Sequence, residues 1–242
     1  KYTVELPQSL TRLILPTASV PKIPSSMTEL DIYGSLDEKF LERLPNNLRV
    51  LKLRRPSILA PGDFALLPRS LTVLRCGEIP FEGSIECFLQ LPPTLTDFSF
   101  ASSKLPGPRS FSENDLKDWD DYSTVQSEFH MDRYCSRHVE SLLPQSLVKL
   151  GVKYSHQLAS FRHLPRNLTS YKCLEHAAVQ DDEWAHLPST LTFLKLSVAL
   201  PNERTNLAIE FPPHLVKLHI LQGSILTKET ICKLPTTLTE LY

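Results

Sequence analysis

One short phrase recurs along the chain: an apolar residue, proline, two variable positions, leucine or methionine, two further variable positions, then apolar-any-apolar. It starts at Leu6, Ile23, Leu44, Leu67, Leu91, Leu143, Leu164, Leu187, Phe211 and Leu234, with spacings of 17, 21, 23, 24, 52, 21, 23, 24 and 23 residues. Apart from the 52, the period is near 23, and a fixed period of that size marks a stacked-repeat architecture. The fullest copies are the ten residues from Leu67 and the ten from Leu187.

Each position in the phrase has a physical reason. The alternating end, Leu51 and Leu53 in the third copy, predicts a short strand with one buried face. Proline, as at Pro45 or Pro188, has no N–H to donate and a fixed φ, so it suits the corner leading into the strand and not the strand itself. Two residues after it stands Ser9, Ser26, Asn47, Ser70, Thr94, Ser146, Asn167, Thr190 or Thr237, with His214 the exception. These side chains can satisfy corner backbone groups. The rest of each repeat predicts a short helix or turn. The stretches opening at Asp37, Asp181 and Thr227 begin with capping-type residues and acids. Phe40, Phe64, Phe88, Phe161, Trp184 and Ile231 each place a large apolar group three or four residues before the next anchor. No single repeat can bury its apolar edge alone, so stacking must build one continuous core under a parallel sheet.

Composition fits that plan. Proline is 20 of 242 residues and glycine only 7, so the chain turns on one repeated proline corner instead of glycine. The five cysteines form no CxxC pair, and Cys76 and Cys173 fall where other copies carry Leu, Ile, Val or Phe. Both therefore read as buried apolar residues, and the setting as reducing: intracellular, and within that cytoplasmic. No stretch approaches the ~18 uninterrupted apolar residues of a membrane helix.

The repeated phrase resembles the leucine-rich-repeat superfamily over nearly the whole chain. Its Leu-Pro-x-Ser-Leu-Thr wording is similar to the proline-anchored classes, the FNIP-type repeats of slime moulds and the LPX repeats of bacterial effectors. It departs from them in lacking the Phe-Asn-x-Pro-Ile stretch and the asparagine after the strand, where Ala18, Ser35, Pro56, Ile79 and Ser103 stand. The resemblance implies an α/β solenoid: an arc with a parallel concave sheet, short helices or turns on the convex side, and about ten repeats. It also implies protein recognition through the concave face. In several contexts such arcs select substrates for ubiquitin ligases, although no F-box or ligase segment is visible in this sequence.

The domain expectation is a single unit, residues 1–242, made of repeats over 1–103 and 141–242 with an insert at 104–140. The insert carries an acidic run with Trp119, Asp120, Asp121 and Tyr122, candidate partner contacts on an exposed loop over 105–122. Capping-box spacing at Ser123 and apolar residues at helical intervals predict a helix from about Thr124 to Leu142. The last copy breaks off at Tyr242 in mid-strand, which reads as a fragment of a longer chain.

Alternation along the strands assigns the outward positions. On that register the concave face presents Arg12, Lys52, Arg54, Arg75, Lys149, Lys153, Lys172, Lys195 and Lys217, against the four acids Glu29, Asp31, Asp97 and Glu240. The face is thus basic on a chain whose formal charge is −1. Strands lie about 4.8 Å apart, so Lys172 and Lys195 should sit side by side, and a one-signed concave field steers an opposite partner. Tyr33, Phe193, Leu174 and Leu221 would add apolar contact area, and His219 completes the candidate set.

Other chemistry finds little support. Seven glycines form no phosphate loop, and neither Gly-x-Ser-x-Gly nor His-Glu-x-x-His occurs, so no catalytic or cofactor-binding residue is assigned. His130, Cys135 and His138 are the nearest approach to a metal cluster, but helical spacing aims His130 away from the other two. A neutral chain argues against nucleic acid. Two readings stay open: a recognition scaffold that binds an acidic protein surface, and a structural subunit contacted through its ends, convex side and insert. The oligomeric state is left undetermined.

Overall fold

The computed structural model describes residues 6–15, 22–34, 36, 39–54, 59–80, 85–103, 142–153, 161–173, 181–196, 209–220 and 228–242. They form ten strands, one per copy of the phrase: β1 (Arg12–Leu15), β2 (Glu29–Tyr33), β3 (Val50–Arg54), β4 (Val73–Pro80), β5 (Asp97–Ser103), β6 (Lys149–Lys153), β7 (Ser170–Cys173), β8 (Phe193–Leu196), β9 (Lys217–Ile220) and β10 (Glu240–Leu241). All ten lie in one sheet in chain order, and every neighbouring pair is parallel. β5 pairs directly with β6, so the sheet continues across the long interval between their anchors.

The corner is identical in every copy. The N–H of the phrase's fifth residue donates to the proline carbonyl three residues back: Leu10 to Pro7, Met27 to Pro24, Leu48 to Pro45, and so on to Leu238 and Pro235. A β-turn with proline at its first position delivers the chain into the strand. Corners of successive turns are then stapled together by side chains. Ser70 Oγ lies 2.6 Å from the carbonyl oxygens of both Asn46 and Leu48, and Thr94, Ser146, Thr190 and Thr237 repeat this geometry one turn further each time. Ser26 and Asn167 make single bonds of the same kind. The small polar position therefore links repeats and does not merely serve its own corner. A second ladder was not anticipated: Thr28, Thr72, Thr96, Thr169, Thr192 and Thr239 donate their hydroxyls to the residue one turn back.

Two rows of each strand face the core. Leu30, Leu51, Leu74, Phe98, Leu150, Tyr171, Leu194 and Leu218 form one in-register row, and Ile32, Leu53, Phe100, Val152, Cys173 and Leu196 belong to the other. All are buried, each contributing about 1.5–3 kcal/mol for a large apolar side chain. Cys76 and Cys173 are buried as expected, and burial pushes the Cys76 thiol far above its ordinary range. In β4 one extra residue between Arg75 and Glu78 shifts the register against β5, a β-bulge at Cys76–Gly77.

The return legs are the short helices or turns expected. Leu41–Arg43, Pro61–Leu66, Ile85–Gln90 and Asp181–His186 are 3₁₀ turns, and among the described residues only Lys228–Cys232 is α-helical. A 3₁₀ turn rises about 2.0 Å per residue against about 1.5 Å for an α-helix, so it spans the short return with fewer residues. Its i→i+3 bond also fixes the large apolar group. The anchor N–H of Leu67, Leu91, Leu164 and Leu187 donates to Phe64, Phe88, Phe161 and Trp184 respectively. Those rings, with Phe40, are buried and meet in two clusters, Phe64–Phe88–Phe98–Phe100 and Tyr171–Phe161–Trp184–Phe211. Ile231 departs from this pattern: it is 49% exposed. The predicted helix over 124–142 falls almost wholly outside the described residues.

Candidate recognition face

Two outward rows cross the sheet. The first runs Arg12, Glu29, Val50, Val73, Asp97, Lys149, Ser170, Phe193, Lys217, Glu240, and the second Ile14, Asp31, Lys52, Arg75, Ser99, Gly151, Lys172, Lys195, His219. Lys172 and Lys195 are register partners on β7 and β8, as the alternation predicted. Lys153 holds a third-row position opposite Ala101.

The four acids are not scattered among the bases. Each pairs with a base on the adjacent strand: Glu29 with Arg12 at 3.5 Å, Asp31 with Arg54, Asp97 with Arg75 at 3.1 Å, and Glu240 with Lys217. The Asp31–Arg54 pair is bidentate, with Nε to Oδ1 and the second nitrogen to Oδ2 both at 3.0 Å, and Arg54 also lies 4.6 Å from the Tyr33 ring centroid. This pairing leaves Asp31 buried, so that outward position is closed to solvent. Exposed pairs such as Arg12–Glu29 add little stability, but their arrangement sorts the charge. The other five basic positions are Lys52 on β3 and, together on β6 to β8, Lys149, Lys153, Lys172 and Lys195. Strands β6 to β9 carry no acid at all.

The middle of the face is small. Gly151 is register partner to Ser99, and a Cβ at Gly151 would stand 3.1 Å from the Ser99 Cβ. Toward β10 the face turns aromatic. Lys172 Nζ sits 5.4 Å from the Phe193 centroid, Phe193 meets His219 edge-on at 5.2 Å, and His219 meets Tyr242 at 4.6 Å. Burial holds His219 below the ordinary histidine range; Lys195, Lys217 and Lys172 push the same way and Glu240 opposes them. Its Nε2 is buried and has no hydrogen-bond partner, which fits a neutral ring. Tyr242 was missed because nothing in the repeat phrase marks the residue after the last strand as an aromatic neighbour of His219.

The other candidates fare differently. Trp119, Asp120, Asp121 and Tyr122, like Leu174 and Leu221, lie outside the described residues. So do His130, Cys135 and His138; among the described residues no three His, Cys, Asp or Glu side chains gather as a metal site. Among them, too, no helix is long and apolar enough to cross a membrane. On the convex side one acid was overlooked. Glu183 is buried, its Oε2 accepting the Phe161 N–H at 2.6 Å and its Oε1 the Arg162 Nε–H at 3.0 Å.

Ten parallel strands in chain order, each entered through the same proline corner, define a leucine-rich-repeat solenoid arc. No protein-family model matches the chain, and no curated protein matches it. Two solved structures of leucine-rich-repeat proteins are similar to it. One is CroV588, described as a novel circular leucine-rich-repeat protein, with 20% identity and a TM-score of 0.48 over 98% of this chain and 34% of that one. The other is LegL7 from Legionella pneumophila, with 13% identity and a TM-score of 0.46 over 98% of this chain and 83% of that one. The chain thus spans about a third of the length of the first.

Proposed function

We propose that this chain is a protein-recognition scaffold, without catalytic activity, that docks an acidic protein surface on the β6–β9 half of its concave sheet. The observation that carries the reading is the sorting of charge. Glu29, Asp31, Asp97 and Glu240 are each held by a base next to them, and Lys149, Lys172 and Lys195 stand on three consecutive strands that carry no acid. Lysines set side by side repel one another in the free protein, and an opposing surface relieves that repulsion. Such complementarity raises association rates and excludes wrong partners more than it adds affinity. Repeats of the proline-anchored class supply the scaffold. Cys76 and Cys173, buried in the core as small apolar residues, support a reducing, intracellular setting.

The test is capture from source-cell extract by the native chain and by a Lys149, Lys172, Lys195, Lys217→Glu variant with unchanged circular dichroism. An acidic partner retained by the native chain and lost by the variant supports the reading. Retention of every partner by the variant refutes it and favours a structural subunit.

A further inference from the structure

The concave face is not uniform within its basic half. Residues of three successive strands and the residue just past the next strand touch in series: Lys172 over the Phe193 ring, Phe193 edge-on to His219, and His219 against Tyr242, which follows β10. Edge-to-face contacts leave part of each ring open. Large aromatic groups beside cations concentrate binding energy in an interface, with the surrounding charges acting as rim.

We propose that Phe193, His219 and Tyr242 form an anchor subsite that seats an aromatic side chain of the partner, flanked there by carboxylates. The inference rests on the acidic-partner reading and adds to it the chemistry of one residue. The case is one of complementarity. Lys172, Lys195 and Lys217 surround the rings, Glu240 is already paired with Lys217, and no strand from β6 to β9 carries an acid. A lone aromatic would therefore find no special reason to choose this place, whereas one with adjacent carboxylates has both a ring to stack on and cations to meet.

Three fluorescein-labelled peptides of equal length test this by anisotropy: one acidic with a central tryptophan, one acidic with serine in its place, and one basic with the tryptophan. The acidic tryptophan peptide should bind about tenfold tighter than the acidic serine peptide, the difference an aromatic contact of this kind confers. Phe193→Ala and, because Phe193 also packs on the strand, the exposed Tyr242→Ala should each shrink that ratio while leaving the serine peptide's affinity unchanged. Lys172→Glu with Lys195→Glu should weaken both acidic peptides. Equal binding of the two acidic peptides overturns the anchor and leaves the acidic-partner reading standing. Binding of the basic peptide as tightly as the acidic ones, or of none of the three, overturns both.

Discussion

Removing the Glu183 carboxylate should loosen the convex wall more than any surface acid of this chain. Glu183 is 7% exposed and joins two turns of the solenoid, accepting the buried Phe161 N–H and one Arg162 nitrogen. Glu183→Ala leaves the Phe161 N–H without that acceptor, at a cost of about 1–3 kcal/mol for a buried donor. The Arg162 contact adds about 0.5 kcal/mol, discounted because 47% of that side chain is exposed. The sum, about 1.5–3.5 kcal/mol, corresponds to a fall in Tm of roughly 3–14 °C for a domain of this size. Glu183→Gln keeps an oxygen for Phe161 and loses only the charge toward Arg162, so its loss should be about 1 kcal/mol. Thermal unfolding followed by circular dichroism gives the totals, and amide hydrogen exchange gives the location. In Glu183→Ala the Phe161 amide should lose protection while the core-row amides of β2 and β3 keep theirs. A Glu183→Ala protein with native Tm and a still-protected Phe161 amide would refute the reasoning.

Three further outcomes follow from the same geometry. Arg54→Ala should cost about 2 kcal/mol in urea unfolding, scaled down from buried-pair values because 26% of Arg54 is exposed; joint replacement of Asp31 and Arg54 by Leu and Met should recover most of it, since it is the stranded Asp31 charge that costs. Gly151→Val should lose about 1–3 kcal/mol, because a Cβ already meets the Ser99 Cβ at 3.1 Å and the overpacking outweighs the gain from replacing a strand glycine; a stabilised variant would show that the strands part easily there. For His219 the folded state favours the neutral ring, so the unfolded chain takes up the proton first. This contribution is complete above the ordinary histidine range and is lost as pH falls through that range toward the lowered folded value, so His219→Gln should flatten part of the fall in Tm on acidification; identical pH profiles for the two proteins would count against it.

The fold was largely legible because one physical constraint repeats ten times. Proline before the strand, a small polar residue two positions later in nine copies of ten and alternating apolar residues recur along the chain, so the register of Lys172 on Lys195 could be derived without a structure. Quantities that depend on neighbouring turns were less legible. The hydroxyl of Ser70 was expected to satisfy corner backbone groups; that the groups are those of Asn46 and Leu48 one turn back is a distance in sequence that a local reading does not sample. The return legs were expected as short helices or turns; the choice of 3₁₀ geometry among these is set by the span left to them, which the sequence alone does not state. At the face, alternation placed Lys172 beside Lys195 but could neither pair the charges nor foresee that the β4 bulge puts Glu78 in the row of Ala101 and Lys153. Asp31 and Arg54 lie 23 residues apart, and only the stacking of β2 on β3 makes Arg54 cover Asp31. Tyr242 reaches His219 for the same reason, through the addition of β10 to β9.

The central claim concerns a place, so the most direct measurement is site-specific photo-crosslinking in source-cell extract. A photoreactive residue is introduced at Lys195 on the concave sheet or at Leu89, which is 63% exposed on the convex 3₁₀ turn Ile85–Gln90. The account predicts a single acidic partner adduct from position 195, diminished by added salt, and none from position 89. Adducts from position 89 alone, or a salt-insensitive adduct from position 195, would contradict it.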